Sequence, residues 1–162
     1  MIIRPASRPE DIPTIHTLLM EYAESLGFSL CFQGFSDELA SLPGAYAPPT
    51  GALLLAEDAT GEAIGCVALR ATADAGVGEM KRLYVRPAAR GTGTGRALVA
   101  RLIALAREAG YQRLQLDTLP TMHAAILLYE QLGFVDIAPL RSTPMDGVRY
   151  LELVLDPTPQ GV

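Results

Sequence analysis

Apolar residues recur along this chain in two rhythms, and the alternation between them outlines the fold. Ile12, Ile15, Leu18, Leu19, Tyr22 and Leu26 fall at three- and four-residue steps, which lines one face of a helix. Ser7 and Glu10, with Pro9 between them, have the form of a capping box at its start, and Gly27 is a fitting stop. A second stripe of Leu98, Val99, Leu102, Leu105, Ala106 and Ala109 predicts a helix over 94–109, terminated by Gly110. A third helix is predicted in "TMHAAILLYEQLGF", running to Leu132 and capped by Gly133. Strands are predicted in "MIIRPA", "GEMKRLYVRP" (ended by Pro87), "RLQLDT" and "GVRYLELVLD". The two apolar runs around "EDATGE" predict an antiparallel hairpin turning near Thr60 and Gly61. One stretch, "FSLCFQGFSDELASLPGAYAPPTG", is aromatic, briefly helical from Asp37 to Leu42, and then broken by Pro43, Gly44, Pro48 and Pro49, as in a loop-rich lid.

Strands that come first as a meander and then alternate with helices predict an α/β fold. Its sheet is mixed, part antiparallel and part parallel, with helices on both faces. At 162 residues, 49% hydrophobic and 19% charged, the chain suits one domain over 1–156 with a Pro-rich tail over 157–162. "MIIRPASRPEDIPTI" has no apolar stretch of signal length, and no later segment approaches the roughly 18 apolar residues of a membrane span. A soluble, cytoplasmic protein is expected. Cys31 and Cys66 lie far apart with no nearby metal-ligand spacing, so both are expected as reduced thiols and no metal site is predicted.

Charge narrows the choice of ligand. A net charge of −5 argues against nucleic acid and anionic membranes as partners. Yet Lys81, Arg82, Arg86, Arg90 and Arg96 fall in one short window that also holds Gly91, Gly93 and Gly95. Local cationic charge on an acidic chain points to a small phosphorylated ligand. The order strand, Gly-rich turn, helix suits such a ligand. The first helical N–H groups lack partners, the macrodipole is positive there, and glycines allow close approach of an anion. A Walker A loop is excluded, because Gly95 is followed by Arg96 and Ala97 rather than by Lys and a hydroxyl. A dinucleotide fingerprint fits poorly, since the glycines are spaced by twos, although Asp117 stands where a ribose-binding acid would.

"VRPAARGTGTGRAL" resembles the acetyl-CoA loop of the GCN5-related N-acetyltransferases (GNAT), whose R/Q-x-x-G-x-G/A pattern is met by Arg90, Gly93 and Gly95. "AAILLYEQLGF" resembles the same family's A-x-x-L-Y-x-x-x-G-F segment, and the order of elements from Ile2 to Leu155 is similar too. The resemblance implies the splayed acyl-CoA N-acyltransferase fold and direct attack of an amine on acetyl-CoA, without an acyl-enzyme. The acceptor it implies is a primary amine of a small molecule, amino acid or peptide.

Residue by residue, the resemblance implies that backbone groups of Leu83, Tyr84 and Val85 flank the pantetheine arm. The segment Arg90, Gly91, Thr92, Gly93, Thr94, Gly95 and Arg96 would hold the pyrophosphate. It implies Tyr129 as proton donor to the departing sulfur and Glu79 as general base, directly or through water. Where the helical motif often begins with an asparagine, this chain has Met122. Phe32, Gln33, Phe35 and Tyr46 are candidate acceptor-binding residues, with Glu38 and Asp146 favouring a cationic amine. A non-catalytic, regulatory acyl-CoA-binding module of the same fold is the alternative, and homodimerisation stays open.

Overall fold

The computed structural model describes residues 1–26, 34–141 and 147–155. Cys31, Phe32, Gln33, Asp146, Gly27 and the Pro-rich tail therefore lie outside the described residues. Four strands form an antiparallel meander: β1 (Ile2–Pro5), β2 (Ala52–Glu57), β3 (Ala63–Ala71) and β4 (Val77–Val85). β5 (Arg113–Thr118) joins β4 in parallel, and β6 (Val135–Ile137) and β7 (Arg149–Val154) complete one seven-stranded sheet in the order β1-β2-β3-β4-β5-β7-β6. Helices α1 (Asp11–Leu26) and α2 (Phe35–Ala40) precede β2, α3 (Thr94–Glu108) links β4 to β5, and α4 (His123–Gln131) follows β5.

Strand alternation sends side chains to two separate cores. Leu54, Ala56, Val67, Leu69 and Met80 pack with Leu98, Val99 and Leu102 of α3. Leu53, Leu55, Cys66, Ala68 and Tyr84 pack on the other face with Ile15, Leu18 and Leu19 of α1. Met80 and Tyr84 are an even number of residues apart and still serve opposite faces. An extra residue between them is the physical reason: Ala68 pairs with Lys81 but Cys66 with Tyr84, so β4 carries a bulge. Arg82 sits in it with φ +62°, a left-handed backbone rare for a residue with a Cβ.

Two local expectations are corrected. Ser7 does not cap α1; Asp11 does the reciprocal half of the capping box one residue later, its Oδ2 accepting the Arg8 N–H at 2.9 Å. Asp11 can be buried there because Arg4 grips both its oxygens at 2.8 Å. β6 is absent from the sequence reading, because three residues are too few to show a period. Among the described residues no helix is long and apolar enough to cross a membrane.

Leu102 is fully buried at the centre of the α3 core. Leu102→Ala is expected to cost about 2–5 kcal/mol by the lost burial and the cavity left behind. Urea denaturation reads this as a lower midpoint at unchanged slope.

Candidate active site

β4 and β5 stay together for only three residues, Val77 to Glu79 against Arg113 to Gln115. Beyond Glu79 the strands part. A cavity of about 60 Å³ lies between them, lined by Met80 to Leu83 on one side, Leu116 to Thr118 on the other, and Met122, Tyr129 and Tyr22 around it. The bulge turns the Arg82 carbonyl toward β3, where it accepts from Cys66 Sγ at 3.6 Å. The edge of β4 through Leu83, Tyr84 and Val85 thus carries backbone groups with no β5 partner.

A loop follows β4, through a 3₁₀ turn at Pro87–Ala89, and leads into α3. Gly91 and Gly93 hold φ values of +79° and +85°, and a Cβ at either would meet no atom within 4 Å, so conformation rather than crowding demands glycine. The first backbone bond into the helix runs from the Ala97 N–H to the Gly93 carbonyl at 3.0 Å, and the N–H groups of residues 91–96 donate to no carbonyl among the described residues. Thr92 stiffens the loop by donating to the Ala89 carbonyl, with its hydroxyl 2.8 Å from that of buried Thr94. Gly95 lies on the inner side of this turn, where an added Cβ would touch Leu128 and Val85 at 3.7 Å.

The cationic window divides. Arg86 is held by Glu21 at 2.7 and 3.0 Å, and Lys81 and Arg82 are buried, so the five cations do not form one anion-binding patch. Arg90 and Arg96 remain at the loop, Arg90 donating to the Val85 carbonyl at 3.1 Å and Arg96 to Gln131 of α4.

Tyr129 projects from α4 to the cavity, 5% exposed, its ring 5.7 Å from that of Phe134. Burial pushes its phenol well above the ordinary value of 10.0, so the hydroxyl keeps its proton at neutral pH.

Glu79 occupies the last paired position before the gap and is 2% exposed. Both its oxygens are taken. Arg70 binds Oε1 through Nε at 2.8 Å and Nη2 at 2.7 Å, and Arg141 binds Oε2 at 2.7 Å. Burial opposes the charge, but Lys81, the Arg141 hydrogen bond and Arg70 outweigh it and hold the carboxyl below its ordinary 4.5. Arg141 also donates to Asp117 at 2.9 Å. Asp117 is therefore a partner of arginine at the rim of the gap rather than a ribose ligand.

Phe35 and Tyr46 belong to the core beneath α1, at 8% and 2% exposure, so they do not line an open pocket. Their surroundings bear on the site nonetheless. Glu38 of α2 receives a bidentate pair from Arg82, at 2.9 and 3.0 Å, and the Arg82 guanidinium lies 5.2 Å from the centre of the Phe35 ring. That corrects the expectation that Glu38 favours a cationic amine, because its charge is already matched. Tyr46 Oη is fully buried with no hydrogen bond, a state that costs about 1–3 kcal/mol. Arg70 and Arg141, on β3 and on the segment between β6 and β7, went unnamed in the sequence reading. Arg70 meets Glu79 as its direct cross-strand neighbour, a pairing set by the register of the β3–β4 hairpin, whereas no spacing could have joined Arg141, 62 positions away.

A strand edge left open beside a glycine turn, a helix N-terminus and a buried tyrosine is the arrangement of an acyl-CoA N-acyltransferase. The sequence profile of the acetyltransferase (GNAT) family matches residues 14–134. An uncharacterised N-acetyltransferase of Schizosaccharomyces pombe is 41% identical over 145 residues, 90% of this chain and 89% of that protein. A structure from Klebsiella pneumoniae, described as an acyl-CoA N-acyltransferase, is 31% identical with a TM-score of 0.72 over 96% of this chain and 97% of that one. An acetyltransferase structure from Salmonella typhimurium, solved with its cofactor acetyl-CoA, shares the fold at a TM-score of 0.70 and 22% identity, over 98% of this chain and 95% of that one. This chain belongs to the GNAT acetyltransferase family, and its activity is that of an N-acetyltransferase.

Because Glu79 titrates below 4.5, its contribution to stability is complete above that pH and is lost as pH falls through the folded value. Glu79→Gln is expected to lower the urea midpoint most at pH 7 and to flatten its decline below pH 4.5. A midpoint difference that stays constant from pH 7 to pH 3 would refute the pairing.

Proposed function

We propose that this protein transfers the acetyl group of acetyl-CoA to the primary amine of a small molecule, amino acid or peptide. The observation that carries this reading is the run of unspent N–H groups over residues 91–96, presented by left-handed Gly91 and Gly93 at the start of α3. Such a turn suits a diphosphate, because oriented amides and the helix dipole both favour negative charge. Arg90 and Arg96 add positive charge beside it.

Acetyl-CoA, when bound, supplies a thioester whose carbonyl an amine attacks with departure of the thiolate. The residues of the chain set the conditions for that exchange. Leu83, Tyr84 and Val85 offer an open strand edge for an extended amide-bearing arm, and a main-chain N–H near Leu83 is the donor for the carbonyl oxygen. Tyr129 holds its proton at the cavity and is the donor for the sulfur. Glu79, with a depressed pKa and two guanidinium partners, serves first as the anchor for Arg70 and Arg141 and reaches an acceptor proton only through water.

Gly93→Val is expected to weaken acetyl-CoA binding in calorimetry by about tenfold or more, because a β-branched residue resists φ +85°. Its melting temperature, read alongside, should show a folded protein; unchanged affinity would count against the loop. Tyr129→Phe should lower kcat by roughly 10²-fold or more, as loss of a general acid does, while the acetyl-CoA dissociation constant moves little. An unaltered kcat would remove the tyrosine from the reaction.

A further inference from the structure

The acceptor side of the gap is built from arginine. On the sheet face covered by α1, β3 supplies Arg70, β4 supplies Glu79, β5 supplies Asp117, and the segment after β6 supplies Arg141. Arg141 ties Glu79 and Asp117 together, bonding them at 2.7 Å and 2.9 Å respectively. Asp117 itself lines the cavity between β4 and β5, and Arg141 is bonded to it from outside that lining.

Hydrogen-bond capacity points the same way. A guanidinium has five N–H donors. Among the described residues, Glu79 and Asp117 take one each from Arg141, and Glu79 takes two from Arg70. Both arginines keep part of their surface in solvent, with side chains 41% and 33% exposed. Glu79, which they share, is closed off. The carboxylates and guanidinium groups balance one another in charge, but the arginines keep N–H donors beyond those that Glu79 and Asp117 take, at a surface partly open to solvent, while Glu79 is closed off. An anionic group would find charge-assisted donors with the planar fork that suits a carboxylate.

We infer that the acceptor is a free amino acid, whose carboxylate is held by Arg141 and Arg70 while its amine enters the gap beside Asp117. This rests on the transferase reading above and narrows it, setting polyamines, aminoglycoside-like cations and peptide N-termini below α-amino acids.

Thiol release from acetyl-CoA, measured across the common amino acids, their amides and spermidine, tests this. For the preferred amino acid, kcat/KM is expected to exceed that of its amide by roughly ten- to a hundredfold, the size of one hydrogen bond to a charged group. The amide's amine is less basic and so more available at neutral pH, which makes the test severe. Arg141→Gln should raise the amino-acid KM and bring that ratio near one with the acetyl-CoA KM unmoved, and Arg141→Lys should recover part of the preference. Preference for spermidine or an amide, a ratio that survives Arg141→Gln, or no amino-acid turnover by protein that binds acetyl-CoA would each overturn the assignment and leave the transferase reading standing. Absence of coenzyme binding in calorimetry would remove both.

Discussion

Everything at this site depends on two parallel strands ceasing to pair. β4 and β5 share three residues of register and then diverge, which leaves backbone groups of β4 open where a closed sheet would use them on itself. Unpaired strand edges are ordinarily a liability, and proteins cover or blunt them. Here the exposed edge is short and flanked by α4 and a loop. The cost of leaving it open is spread over both cores, where α1 and α3 clamp the meander from opposite faces.

The bulge at Arg82 makes the divergence useful. By adding one residue, it sends Met80 to one core and Tyr84 to the other, so β4 contributes to both layers. Arg82 is held in its left-handed conformation by the bidentate pair to Glu38 and by the Phe35 ring above its guanidinium. A strained backbone residue persists only when its surroundings over-determine it. The α2 segment is thus fastened to the strand that faces the gap.

Charge is arranged in the same economical way. Two cations of the basic window are matched by carboxylates distant in sequence, Arg86 by Glu21 and Arg82 by Glu38, and outside the window Arg70 and Arg141 share Glu79. Taking such charges out of water is expensive, and the pairing offsets that cost while tying together elements distant in the chain. Near the gap, the backbone amides of the glycine turn and part of the Arg70 and Arg141 guanidinium surface remain open.

The elements were legible in the chain wherever a period or a breaker speaks locally. The helix of Thr94–Glu108 and the strand of Arg113–Thr118 fall within a residue of their expected limits, because long stripes and the stops at Gly110 and Pro87 act over a few residues. The glycine turn and Tyr129 could be singled out for the same reason, since their chemistry depends on neighbours in sequence. The Glu79–Arg70–Arg141–Asp117 cluster, the core burial of Phe35 and Tyr46, and the dispersal of the basic window could not. Except for Arg70 and Glu79, nine positions apart across the β3–β4 hairpin, these are meetings of residues distant in sequence, and the register of the sheet decides which of them meet.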